Sequence, residues 1–372
     1  MIRVGSINAG SAIRRAITID YRLTAPSEIL AKIDRGIGTL EAMVHRAGKS
    51  GCDIAVLPED TLCTTQWEAA HDDLLEQVLP QAITNMCDRL GKAASSHNMY
   101  LICSNDHYAS GVVQNTAYFL GRNGKKIGCY HKVCLPVQES LKKPGSDFPV
   151  FETPDLGGVG MLICYDMVFP ETARCLTLGG ADIIFNPTVG GAAFGGPEIS
   201  RAAFRTRAVE NFVYIVVSWG GWGSDTGSMI ISPKGEILSE EKTAGGIAIA
   251  DIDPTGNRQM SDWCNHQDDM RARIFRERRP ETFNRLTENN PPALQKWNNL
   301  MPGPPEDIAR MMKKATTIGH AEYAQADQLL RDGKTEEAIQ AFEKLIKTYP
   351  CTWFDRTAKE KLAILQKQTA HS

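Results

Sequence analysis

The sequence predicts an α/β layered core, and three observations carry that prediction. Short apolar runs rich in β-branched residues occur at 53–57, 99–104, 159–164 and 182–185, each followed by turn or helix signals, as buried strands are. Helical periodicity separates several of them. Further on, strand-like segments at 214–218, 227–232 and 247–252 follow one another more closely, with Pro233-Lys234-Gly235 read as a hairpin turn.

The first helix is expected over 27–49, where Ile29, Ile33, Ile37, Leu40 and Val44 recur every three or four residues and so line one face. A second covers 74–97 and should be interrupted at Pro80, because proline lacks the N–H that a helix interior uses. The basic segment 271–279 is broken by Ile274, Phe275 and Glu277, which suits an amphipathic helix with a solvated face better than a nucleic-acid patch.

At 372 residues the chain exceeds the usual size of one domain. One large domain is expected over 1–279. From Pro280 to Pro305 the sequence is rich in Pro, Asn and Glu, so 280–320 reads as a linker or irregular extension. The tail, 321–372, is expected to be helical as far as residue 365. Within it Ala338, Phe342 and Pro350 reproduce the spacing of a tetratricopeptide unit. A single such unit cannot bury its own apolar face, so the tail should dock on the core or on a partner subunit, and it is a possible site for a protein partner.

Composition narrows the class. Hydrophobic residues at 42%, charged residues at 23% and a net charge of -3 are ordinary globular values that give no electrostatic reason to expect nucleic acid. The amino terminus lacks the apolar core of a signal peptide, and no apolar run is long enough for a bilayer, so no membrane association and a cytoplasmic location are expected. Ten cysteines occur without CxxC spacing, which argues for reduced thiols over a disulfide framework or zinc ribbon. His45, His97 and His131 lack companions at metal-ligand spacing, so no metal or other cofactor is implied.

Three residues stand where chemistry is done in such folds. Glu59 follows the run Ile54-Ala55-Val56-Leu57, and Pro58 stops that strand, leaving a carboxylate where a sheet opens into loops. Lys132 follows the apolar stretch 127–130. Cys164 lies where Val159-Gly160-Met161-Leu162-Ile163 meets Tyr165-Asp166, and Phe169-Pro170-Glu171 then opens a helix; a helix amino terminus there would favour thiolate. Taken singly, these are an exposed loop acid, a surface lysine and a buried inert thiol.

Taken together, Leu57-Pro58-Glu59, His131-Lys132-Val133-Cys134-Leu135-Pro136 and Ile163-Cys164-Tyr165-Asp166 with Phe169-Pro170-Glu171 resemble the nitrilase superfamily of carbon-nitrogen hydrolases. The resemblance extends through Asp182-Ile183-Ile184-Phe185-Asn186-Pro187, Arg207-Ala208-Val209-Glu210-Asn211 and Gly227-Ser228-Met229-Ile230, covering roughly residues 1–255. It implies a four-layer αββα sandwich, a homodimer or larger homo-oligomer, and Glu59, Lys132 and Cys164 as the catalytic glutamate, lysine and cysteine. It further implies a second glutamate, Glu139, before Pro144-Gly145, and substrate or oxyanion contacts from the Tyr165 backbone N–H and Asn186. Asn8 where many members carry Gln, Ser218 in place of an expected Asn and the unfamiliar stretch 14–24 leave substrate choice open.

The expected activity is hydrolysis of a small-molecule amide-type C–N bond, in an amide or an N-carbamoyl compound. Tyr165-Asp166 resembles the amidase-like branches and not the Trp-Glu of nitrilases. Acyl or amido transfer through the same thioester and a non-catalytic scaffold acting through the tail are the alternatives. Glu171 with Arg174 is expected to form a helical ion pair, and Arg207, Glu210 and Asn211 to be scaffold. Pocket shape should depend on the loops after Glu59, near 138–143 and around 188–197.

Overall fold

In the computed structural model, which describes residues 1–190, 196–222, 226–256, 269–297, 303–350 and 352–369, the first half of the chain runs β1 (Ile2–Ile7), α1 (Gly10–Ile17), α2 (Pro26–Lys49), β2 (Ile54–Val56), α3 (Thr65–Glu68), α4 (Leu75–Ser95), β3 (Tyr100–Ala109), β4 (Val112–Leu120) and β5 (Lys126–His131). Next come β6 (Val150–Thr153), β7 (Gly157–Met161), α5 (Pro170–Leu178), β8 (Ile183–Gly190), α6 (Pro197–Asn211), β9 (Tyr214–Trp222), β10 (Ser228–Ile231), β11 (Ile237–Glu241) and β12 (Ile247–Ile252). The helices α7 (Met270–Glu277), α8 (Pro292–Trp297), α9 (Pro305–Lys314), α10 (His320–Arg331), α11 (Thr335–Thr348) and α12 (Trp353–Thr369) follow.

The strands form two six-stranded sheets, ordered β12-β1-β2-β3-β4-β5 and β11-β10-β9-β8-β7-β6. Both are mixed: β1, β2 and β3 are parallel neighbours, as are β7, β8 and β9, while hairpins complete each sheet. Val4, Val56, Ile102 and Phe119 of the first sheet share one buried cluster with Val159, Ile184, Val216 and Ile230 of the second, so the sheets stack face to face. Each such side chain contributes about 1.5–3 kcal/mol on burial. On the outer face of the first sheet, Ile33, Ile37, Leu40 and Val44 of α2 join Val78, Ala82 and Met86 of α4; α5 and α6 cover the second sheet with Leu176, Phe204 and Ala208. The architecture is the αββα sandwich.

Hydroxyls bind the two sheets at their centre. Ser6 donates to the Val217 carbonyl at 2.6 Å, and Ser218 to the Ile7 carbonyl at 2.7 Å. A side chain at 218 is thus used for inter-sheet bonding within the core.

Several expectations need correction. Pro80 does not interrupt α4: it is exposed near the first turns, where water can satisfy the carbonyl left without an N–H partner. The run expected to continue as strand to Cys164 ends at Met161, and Cys164 begins a 3-10 turn, Cys164–Val168. Arg174 does not pair with Glu171; it donates to the Glu210 carbonyl at 2.6 Å and lies over the Phe275 ring. His45 and His97, sequence-distant, meet at 2.9 Å.

The region read as irregular over 280–320 contains α8 and α9, and α9 continues as a π-helical turn, Ala315–Gly319, into α10. Pro305 at the first turn with Glu306 and Asp307 behind it starts α9 well. The tail also has a small core of its own, Ala315, Ala326, Ala338, Phe342, Leu345, Tyr349 and Leu362, because α10, α11 and α12 fold together. Among the described residues no helix is long and apolar enough to cross a membrane.

Candidate active site

Glu59 leaves the end of β2 with its backbone fixed from below. Arg14, in the stretch unfamiliar from sequence, donates to the Glu59 carbonyl at 3.1 Å and forms a buried ion pair with Asp60 at 2.7 Å. The Glu59 side chain is also over-determined: Oε1 accepts from Asn115 Nδ2 at 2.8 Å and Lys132 Nζ at 2.9 Å, and Oε2 from the Val189 N–H at 3.0 Å.

Lys132 follows β5, where its N–H donates to the Asn115 carbonyl and its carbonyl accepts from Gly145 N–H. Only glycine fits at 145, since a Cβ there would lie 2.1 Å from the His131 carbonyl oxygen. The buried Lys132 Nζ sits between Glu59 Oε1 and Glu139 Oε2 at 2.9 and 2.8 Å. Glu139 comes from a 3-10 turn, Val137–Glu139, and reaches Asn115 Nδ2 at 3.4 Å and Lys142 Nζ at 3.5 Å. Lys142 in turn pairs with Asp106 at 2.5 Å.

Cys164 is brought to this cluster from the second sheet. Its φ of 45° is left-handed, a conformation that costs a non-glycine residue on the order of 1–3 kcal/mol and that surrounding structure must enforce. Asp166 does so: its buried carboxylate accepts from the Ile163 N–H at 2.9 Å, the Cys134 N–H at 2.7 Å and the Tyr130 hydroxyl at 2.7 Å. Arg207 donates to the Val168 carbonyl at 3.1 Å and pairs with Glu210, while Asn211 donates back to the Arg207 carbonyl, so this motif clamps the far end of the turn Cys164–Val168.

The charges are set by these neighbours. Burial opposes the Lys132 ammonium, but Glu139, Glu59 and Cys164 outweigh it and raise its pKa well above the ordinary lysine value. Burial also opposes the Glu139 carboxylate, and Lys132 and Lys142 reverse that, holding its pKa below the ordinary range. Burial pushes the Cys164 thiol up to about 12, with Glu59 adding to the rise and Lys132 and a Thr188 hydrogen bond opposing it. Burial and Glu59 thus favour the neutral thiol, where a helix amino terminus was expected to favour thiolate, and Cys164 opens a short 3-10 turn. Glu68 has its pKa raised well above the usual value by burial and then by Asp106.

Glu59, Asn115, Lys132, Glu139, Cys164 and Tyr165 all line one cavity of about 1630 Å³. Asn186 is not among its lining residues: buried in β8, it donates to the Leu162 carbonyl at 3.0 Å and so supports the chain leading to Cys164. Asn115 was not singled out by sequence reading, since an asparagine within a strand carries no local signal, while Lys142, Thr188 and Val189 fall in the two loops expected to shape the pocket without having been given individual roles. Residues 191–195 of the anticipated 188–197 loop lie outside the described residues. Also among the described residues, no group of three or more His, Cys, Asp or Glu side chains is arranged to hold a metal, and the eight cysteines described are free thiols.

Against known proteins, residues 24–261 match the family model of the carbon-nitrogen hydrolases. A nitrilase of Pyrococcus abyssi is 32% identical over 264 residues, covering 67% of this chain and 93% of that protein. The human omega-amidase is 28% identical over 235 residues, 57% of this chain and 80% of its own length. The fold is similar to that of the amidase from Nesterenkonia sp. AN1, with a TM-score of 0.58 at 21% identity over 76% of this chain and 95% of that one.

Proposed function

The chain belongs to the carbon-nitrogen hydrolase family, and on that premise we propose that it hydrolyses a non-peptide amide-type C–N bond, in an amide or N-carbamoyl compound, through a thioester on Cys164. The observation that carries this reading is the convergence of a buried carboxylate, ammonium and thiol, Glu59, Lys132 and Cys164, on one cavity.

Burial favours the neutral thiol, so in this scheme the nucleophile is generated as it attacks, with an adjacent general base. Glu59 takes that proton while sulfur bonds to the carbonyl carbon. The resulting oxyanion is held by the Lys132 ammonium and the Tyr165 backbone N–H. When the C–N bond breaks, Glu59 returns the proton to the departing nitrogen, and ammonia or an amine leaves. Glu59 then removes a proton from water as it attacks the thioester; the C–S bond breaks, the acid is released and the sulfur regains its proton.

Glu139 keeps Lys132 charged and fixed in this scheme, and Asn115 holds both glutamates in register. The nitrilase relative favours a second reading, in which the same thiol adds to a nitrile. Ammonia release from amides, N-carbamoyl compounds and nitriles, combined with intact-mass measurement on wild type quenched during turnover to catch the acyl-enzyme, separates the two. A mass gain on Cys164 with amides or carbamoyl compounds supports the proposal; turnover of nitriles alone overturns the substrate class, and ammonia release undiminished in Cys164→Ala overturns the mechanism.

A further inference from the structure

The cavity that holds Cys164 is closed on one side by the C-terminal helices. Met312, Lys313, Thr316, His320 and Thr352 line it together with Glu59, Lys132 and Cys164. The helices touch three separate parts of the core. Helix α9 packs on the turn that carries Glu139, Lys313 pairs with Asp72 at 2.5 Å, and the His320 ring lies 6.4 Å from that of Tyr21. The tail has its own buried cluster, so these contacts are made by a folded unit.

We propose that this tail is a specificity-determining wall of the active site in the same chain, selecting amides whose acyl part is extended and ends in a polar group. The inference rests on the hydrolase reading above. At about 1630 Å³ the cavity exceeds the roughly 300–1,000 Å³ of pockets that enclose drug-sized ligands, far more than a short amide fills. The core part of the lining includes the apolar Val113 and Leu141 as well as charged groups, and the tail contributes the polar Thr316, His320 and Thr352. A short substrate would leave the tail untouched, whereas an extended one would reach it.

The test uses the full chain with Thr316→Trp, which fills the cavity at the wall, and Met312→Ala, which enlarges it. Two readouts are taken: kcat/KM for 6-hydroxyhexanamide relative to acetamide, and the rate of Cys164 alkylation by N-(6-hydroxyhexyl)iodoacetamide relative to iodoacetamide, which needs no turnover. The expected result is a fall in both long-to-short ratios of about tenfold or more in Thr316→Trp and a rise in Met312→Ala. Ratios that stay within about twofold of wild type, or that move the same way in both variants, overturn the wall. If wild type releases no ammonia from any amide while the alkylation ratios shift in opposite directions, the hydrolase reading fails and the wall stands.

Discussion

The two sheets contribute unlike things to the cavity. The sheet built on β1 to β5 delivers charge: Glu59 after β2, Asn115 on β4, Lys132 after β5 and Glu139 soon behind it. The sheet built on β6 to β11 delivers the thiol and neutral groups, Cys164 after β7 and Thr188 and Val189 on β8. Neither sheet alone assembles the cluster, so the alignment of Glu59 with Cys164 depends on how the sheets are joined. They are joined at the site by Val189 N–H to Glu59, and by Asp166 of the second sheet accepting from Tyr130 and Cys134 of the first. The geometry of the cluster is a property of the inter-sheet seam.

Removing one contribution from each side breaks the comparison in different ways. Cys164→Ala should abolish covalent turnover while leaving the charged cluster intact, so ammonia release falls to background and the melting temperature stays near wild type. Lys132→Ala should do the reverse in stability. It leaves Glu59 and Glu139 buried without their shared cation, a loss of about 3–5 kcal/mol when one partner of a buried pair is removed, in addition to at least about 10²–10³-fold in kcat for a missing oxyanion donor. Urea unfolding and steady-state kinetics on both variants check this; a Lys132→Ala enzyme as stable as Cys164→Ala would mean that the charged side is not held by its ion pairs.

The seam is probed by Asp166→Ala, which strands two backbone N–H groups and the Tyr130 hydroxyl. At about 1–3 kcal/mol for each buried donor left unpaired, a destabilisation on the order of 3 kcal/mol is expected. Activity should fall because Cys164 loses what enforces its left-handed backbone, although none of the three principal residues changes. A milder version is Ser6→Ala, which removes one inter-sheet hydrogen bond far from the reacting atoms and should cost about 1 kcal/mol with kcat unchanged.

The same division explains what could be read from sequence. Glu59, Lys132 and Cys164 each come soon after an apolar run, but singly they read as ordinary residues, and it was the resemblance of their three motifs to the nitrilase superfamily that tied them together. Asn115 acts within the first sheet on Glu59, 56 positions away, and Asp166 acts across the seam on Tyr130, 36 positions away, and no local pattern announces either contact. Arg14 supports the Glu59 loop over 45 positions, in a stretch that matched no familiar pattern. Tail helicity was read together with the tetratricopeptide-like spacing of Ala338, Phe342 and Pro350, but α9 lay hidden in a Pro-rich segment, where Pro305 starts the helix instead of excluding one. The tail's own core was missed because one visible repeat is too little to bury an apolar face, whereas α10, α11 and α12 pack together.

The smallest effect is also the one that bears most directly on how the two sides cooperate. Burial first, and Glu59 second, raise the thiol of Cys164 to about 12 from an ordinary value near 9. A raised folded-state pKa means that the neutral thiol favours the folded protein below about pH 9 and that this contribution is lost as pH rises through about 12. Thiolate absorbance of wild type minus Cys164→Ala should therefore titrate well above 9, and in Glu59→Gln the midpoint should move down, because a carboxylate that disfavours the thiolate has been removed. Turnover should fall in the same variant. A more acidic thiol paired with a slower enzyme would mark Glu59 as a proton acceptor during attack. A wild-type midpoint at or below 9 would instead mean that the thiolate forms at rest beside Lys132, and the first proton transfer would no longer need the other sheet's carboxylate.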